Sequence, residues 1–228
     1  MWDPYRLTME FTTPLCGGVP QSADLITNWV EQRKATDADF TRRLNDEDEG
    51  ELRSLGEIVK DTIADLPQEE NPIDRLHVGF LKDQSGLYVR GGSLRAHLKS
   101  CAQALGPGMR EGLFPEHTKI SNFAAKIKDS LYIREEKIYL MGLTIKDKAD
   151  GYRDATISVM TARGPRTCFK RIDWCFPVIL TCTLLFLNGL SSIKIEHIRS
   201  CLEYGCVQGF NQDRSLQYGR YIWKLEAC

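Results

Sequence analysis

Gly205-Cys-Val-Gln-Gly-Phe-Asn-Gln-Asp-Arg-Ser-Leu-Gln-Tyr-Gly-Arg-Tyr221 holds three glycines, two arginines and three aromatics in seventeen residues. The stretch lies between Ile195 to Tyr204, which reads as a short helix, and Tyr218 to Leu225, which reads as a closing strand. Glycine accepts positive φ and lets a backbone approach a ligand closely, so Gly205, Gly209 and Gly219 make such an approach possible. Exposed backbone N–H groups beside Arg214 and Arg220 suit a phosphate. Phe210, Tyr218 and Tyr221 have flat faces on which bases can stack. The same residues also fit an ordinary glycine-containing turn that carries some charge.

Outward from this loop the chain alternates strand and helix patterns. Tyr5 to Thr13 sets Tyr5, Leu7, Met9 and Phe11 against Arg6, Thr8, Glu10 and Thr12, a half-buried first strand. Pro14 and Gly17-Gly18-Val-Pro20 end it. Ser22 to Leu66 reads as helices with apolar stripes at Leu25, Ile26, Trp29, Val30 and at Leu52, Leu55, Ile58, Val59, Ile63. Leu76 to Arg90 reads as a hairpin turning at Asp83 to Gly86. Leu94 to Leu105 is helical, with Ser93 as its N-cap and Gly106-Pro107-Gly108 as its end. Leu131 to Met141 is a second hairpin candidate; Ala155 to Met160, Arg166 to Ile172 and Val178 to Leu187 are further strands. The pattern predicts an α+β protein with a mostly antiparallel sheet. Residues 1–228 form a single domain on this reading, with a helical acidic insertion over 21–70.

The formal net charge of −1 gives no global attraction to nucleic acid, so such binding needs a local basic patch. Asn45 to Asn71 is strongly acidic, which leaves the remainder net basic. The acidic run reads as a solvated face; the sharper alternative is a surface for a basic partner, or one that mimics nucleic acid. Eight scattered cysteines without a CxxC pair, and no basic leader with an apolar core, fit free thiols in a reducing cytoplasm. Paired zinc ligands are missing from the pattern, and no metal or other cofactor is expected. The apolar run Phe176 to Leu187 is too short for a membrane helix, and no membrane segment is expected. The chain has no P-loop, dinucleotide fingerprint, HExxH or GxSxG.

Gly91-Gly92-Ser93 joins a strand to a helix whose first N–H groups and positive dipole end favour an anion. Arg90, Arg95 and Lys99 stand near that end, the last two on one helical face. Here a family resemblance arises. Val89-Arg-Gly-Gly-Ser-Leu-Arg-Ala-His-Leu-Lys99 resembles the serine-containing turn and helix of the repeat-associated (RAMP) superfamily, the RRM-like proteins of CRISPR effector complexes. Thr12-Thr-Pro-Leu-Cys-Gly-Gly18 resembles that family's segment after its first strand, and Gly205 to Tyr221 its C-terminal glycine-rich loop, including the Arg214-Ser215 pair. The three segments occur in the family's order. His97 stands where the family has a small residue, and Phe210-Asn211-Gln212 where it is richer in glycine.

The resemblance implies a ferredoxin- or RRM-like antiparallel sheet with helices on one face. It implies single-stranded RNA held by its backbone, with copies of the chain or other ribonucleoprotein subunits as neighbours in the cytoplasm. The positions that match it are Ser93, Arg95, Lys99, Gly209, Arg214, Gly219 and Arg220; Arg90, Phe210 and Tyr218 join them as RNA-binding candidates on the residue chemistry given above. Backbone amides and arginines hold phosphates without reading sequence, while aromatics stack on bases. Two alternatives stay open. One is an endoribonuclease of the same fold with His97, the histidine on the basic helix, or His117 as general base. The other is a protein of viral or mobile-element type that binds or inhibits a defence complex through the acidic 45–70 segment. His77 and His197 read as structural, and no residue is assigned as catalytic.

Overall fold

The computed structural model describes residues 2–21, 77–112, 119–161, 164–189 and 192–228. The insertion expected over 21–70 lies outside them apart from Gln21, as does His117. In chain order the elements begin with β1 (Trp2–Phe11), β2 (Leu15–Cys16), β3 (Val19–Pro20), β4 (His77–Gly79), β5 (Leu81–Asp83) and β6 (Gly86–Arg90). Helices α1 (Gly91–Glu111) and α2 (Phe123–Ser130) follow, then β7 (Leu131–Ile133), β8 (Lys137–Tyr139), β9 (Gly151–Thr161) and β10 (Gly164–Cys175). The chain closes with β11 (Ile179–Leu187), α3 (Ile195–Gln208) and β12 (Tyr221–Ala227). It is a mixed α/β protein with several antiparallel sheets and three helices among the described residues. None of these helices is long and apolar enough to cross a membrane.

The chain divides into two compact units: Met1–Gly17, Phe80–Gly151 and Trp174–Cys228 form the first, and Gly18–Gly79 with Tyr152–Asp173 the second. The first unit is built on a four-stranded sheet of order β12-β1-β11-β7, every neighbour antiparallel. Period-2 alternation decides its faces. Leu7, Met9 and Phe11 of β1 and Leu180, Cys182, Leu184 and Phe186 of β11 are buried, while Arg6, Glu10 and Thr181 face outward. The buried stripes of the helices join the same core: Leu94, Leu98 and Cys101 of α1, Phe123 and Ile127 of α2, Ile198, Cys201 and Leu202 of α3. Each such side chain stabilises the fold by about 1.5–3 kcal/mol relative to exposure. A second sheet of the unit orders β5-β6-β8, with Leu81 opposite Tyr88 and Tyr88 opposite Tyr139.

In the second unit β4 lies between β3, to which it is antiparallel, and β10, to which it is parallel. Val78 and Ile172 are its buried pair.

Several expected boundaries shift. Helix α1 starts at Gly91 with Arg90 in the N-cap position and no side-chain cap, so Ser93 is a helical residue and not the cap. Gly106-Pro107-Gly108 does not end it: the helix runs to Glu111, buries Met109 one turn further on, and stops at Gly112, whose φ of 75° closes the end. The Leu131 to Met141 segment is not a hairpin. β7 pairs with β11 and β8 with β6, so its two halves belong to different sheets. Likewise His77–Gly79 does not start the β5–β6 hairpin but joins the second unit.

Candidate nucleic-acid interface

The glycine-rich loop begins where α3 ends. Gly209 takes φ +87° and donates its N–H to Gly205 O, a glycine stop for the helix. Phe210 then turns inward, 2% exposed, against His97 and Phe11. Its N–H donates to Gly219 O at 2.8 Å, and Gly219 donates to Pro14 O at 2.9 Å. A Cβ on Gly219 would collide with Phe210 O, and one on Gly209 with Tyr218 O. The two ends of the loop therefore lie backbone to backbone, which only glycines permit.

Residues from the far end of the chain complete the closure. Thr13 Oγ1 donates to Gln217 O (3.0 Å) and accepts from Arg220 N–H (2.9 Å), Thr12 N–H donates to Arg220 O, and Asn211 Nδ2 donates to Cys16 O at 2.7 Å. The segments Thr12 to Cys16 and Gly209 to Arg220, about two hundred positions apart, are thus one loop cluster. Asn211, Asp213 and Gln217 all take left-handed φ, uncommon for residues with a side chain. Between them a single 3-10 turn, Arg214–Leu216, carries Arg214 and Ser215 to the exposed apex. An open depression of about 530 Å³ there is lined by Gln208, Asp213, Arg214 and Ser215.

Helix α1 passes behind this cluster. His97 Nε2 lies 3.0 Å from the Tyr221 hydroxyl and 3.8 Å from Cys101 Sγ, and its ring meets Phe210 and Tyr221 edge-on. Gly205 makes the contact possible, since a Cβ there would be 2.8 Å from His97 Nε2. Burial, and secondarily the charge of Arg214, push the imidazole down to about 4. His97 is thus a buried imidazole packed against Tyr221 and Phe210, and not the solvent-facing residue of the basic helix that its position suggested. Burial likewise pushes the Cys101 and Cys182 thiols up to about 12, which disfavours their thiolates. His197 is also buried, its Nδ1 accepting from Lys194 N–H at the start of α3. Among the described residues no group of acidic, histidine and cysteine side chains could hold a metal ion.

The His97 shift has a measurable consequence. The unfolded imidazole protonates near 6.5, the folded one near 4, so its penalty on folding is absent above pH 6.5 and grows as pH falls to 4. Over that window the residue removes roughly 3 kcal/mol of stability. Denaturant unfolding of His97→Gln at pH 7.5, 5.5 and 4.5 is expected to show a flatter loss than wild type. Parallel slopes for the two proteins would contradict this assignment.

The sequence-predicted residues separate into two groups. Gly209, Gly219 and Phe210 are buried and build the loop, with Phe210 offering no face to a base. Arg95 donates to Lys128 O at 2.7 Å, and so caps that carbonyl in the last turn of α2; its buried Nε has no partner among the described residues. Arg220 is half-buried with its backbone tied to Thr12 and Thr13, and its Nε is likewise buried without a partner. Toward solvent stand Arg214 and Ser93, with Arg90, Lys99 and Tyr218 half-buried. Arg90 is 3.8 Å from Glu136, and Gly91 N–H donates to Glu136 O, so the first amide of α1 is already taken.

No protein-family model matches the chain, and no curated protein does. A solved structure to which it is similar is "Cryo-EM structure of the Type III-B Cmr-beta bound to cognate target RNA", with a TM-score of 0.38 and 8% sequence identity. The match covers 99% of this chain, which spans 61% of the length of that one.

Proposed function

We propose that the protein is an RNA-binding RAMP-type protein with a ferredoxin-like core, holding single-stranded RNA by its backbone. It does so within a ribonucleoprotein or a filament of its own copies, in the cytoplasm. The observation that carries the reading is the loop cluster. Two segments that resemble separate motifs of one family are hydrogen-bonded to each other, and the cluster lifts Arg214 and Ser215 into solvent. A rigid, glycine-closed backbone with a guanidinium at its apex suits phosphates, which need fixed donors more than shape. The sheet order β12-β1-β11-β7, with α1 between β1 and β7 in sequence and α3 between β11 and β12, is the order of a βαββαβ ferredoxin-like core and supports the fold half of the proposal. The free cysteines among the described residues agree with a reducing compartment.

On this reading the phosphate contacts fall to Arg214, Ser93, Lys99, Arg90 and Arg220, while Gly209, Phe210, Gly219 and Arg95 keep them in place. Purification under native conditions without nuclease is expected to yield a particle rich in absorbance at 260 nm, from which RNA is recovered and sequenced. A small species free of nucleic acid, with no affinity for added single-stranded RNA, would sink the proposal and turn attention to a protein partner.

A further inference from the structure

In the second unit, β4 and β10 run side by side with His77 opposite Arg171 and Val78 opposite Ile172. Since successive side chains alternate, Arg171, Asp173 and His77 share one face while Ile172 and Val78 are buried on the other. On the shared face the Arg171 guanidinium lies 4.1 Å above the Tyr152 ring, and its Nε is 3.2 Å from Asp154 Oδ1. Tyr152 remains 57% exposed. Opposite Arg171 on the neighbouring strand, His77 Nε2 is 2.8 Å from Asp173 Oδ1, a contact allowed by Gly79, whose Cβ would stand 2.7 Å from Asp173 Oδ2. The Asp154 carboxylate thus faces the Arg171 guanidinium and the Asp173 carboxylate the His77 ring, and the large exposed group of the face is the Tyr152 ring.

We propose that Tyr152, braced by Arg171, is a stacking site for an unpaired base of single-stranded RNA. The inference rests on the RNA-binding reading and adds a contact outside the residues named for it. An exposed ring normally loses side-chain freedom when a ligand settles on it. Here the cation–π contact and the Asp154 bond hold ring and guanidinium together beforehand, which lowers that cost. A base is the partner that matches a flat ring flanked by a guanidinium, and every base has a face to offer, so the site is tolerant of sequence.

The test uses the full-length protein and fluorescently labelled U15 RNA, by anisotropy over a range of salt. Tyr152→Ala is expected to weaken binding about 5- to 150-fold with an unchanged salt slope, because a stack contributes no charge. Tyr152→Phe keeps the ring and is expected to bind within about twofold of wild type. Replacing the bases of U15 by abasic sugars should weaken wild type and leave Tyr152→Ala indifferent. If Tyr152→Ala binds U15 as wild type does while Arg214→Glu does not, the stacking site is wrong and the RNA reading stands. If wild type has no affinity for U15, both fall; if Tyr152→Ala instead releases a co-purifying protein, the face belongs to a protein partner.

Discussion

Reversing Arg214 and Lys99 together, to glutamate, is expected to lower affinity for single-stranded RNA about a hundredfold. Arg214 is exposed at the loop apex and Lys99 is half-buried on α1. An exposed charge-assisted contact is worth about 1.5 kcal/mol, and two of them give about 3 kcal/mol, or two orders of magnitude in dissociation constant. The salt dependence carries the sharper signature. Each phosphate contact to a single strand contributes about −0.7 to the slope of log K against log salt, so the double variant should lose about 1.4 of that slope. Arg95→Glu is the informative contrast. Its guanidinium caps α2 at Lys128 O, so this reversal should lower the melting temperature first and affect RNA only through the fold. Affinity within twofold of wild type for the Arg214 and Lys99 double variant, at low salt, would remove the loop cluster from the RNA path.

The parts of this architecture that were legible in the residues are those where a local pattern and the tertiary environment agree. β1 alternates because one face meets the core, and Leu7, Met9 and Phe11 are the buried positions that period 2 requires. Gly209 and Gly219 announce a loop because positive φ and backbone contact need them. Pairing between distant segments left no such mark. Leu131–Ile133 sits within hairpin range of Lys137–Tyr139, yet its partner is β11 some fifty residues on. Proline at 107 reads as a stop, but burial of Met109 and the left-handed Gly112 cap carry α1 one turn past it. For His97 a signal did exist: Leu94, His97, Leu98 and Cys101 follow the i, i+3, i+4, i+7 spacing of a buried stripe, and the imidazole belongs to that stripe and not to the basic face. Phe210 likewise follows a helix-ending glycine directly, a place where an apolar side chain commonly folds back onto the last turn.

The same chemical change, glycine to alanine, is expected to have opposite effects at two positions of the first unit. Gly219 takes φ +71°, and an added Cβ would run into Phe210 O, which cannot retreat because the Phe210 N–H is itself bonded to Gly219 O. Left-handed backbone costs a residue with a Cβ about 1–2 kcal/mol. Opening the loop to relieve the collision loses further hydrogen bonds worth about 1 kcal/mol each. Gly219→Ala should therefore cost about 3 kcal/mol in all, which for a chain of this size lowers the melting temperature by roughly 6–12 °C. Gly92 is exposed within the first turn of α1, and a Cβ there meets nothing within 4 Å. Gly92→Ala should raise stability by about 0.5 kcal/mol through a stiffer unfolded chain and better helix propensity. The RNA affinities should separate the two again. Gly219→Ala, assayed well below its melting point, is expected to lose binding because Arg214 is no longer held at the apex, whereas Gly92→Ala retains it. Calorimetry of the two variants beside wild type decides the matter: equal melting temperatures would mean that the Phe210–Gly219 contact does not close the loop.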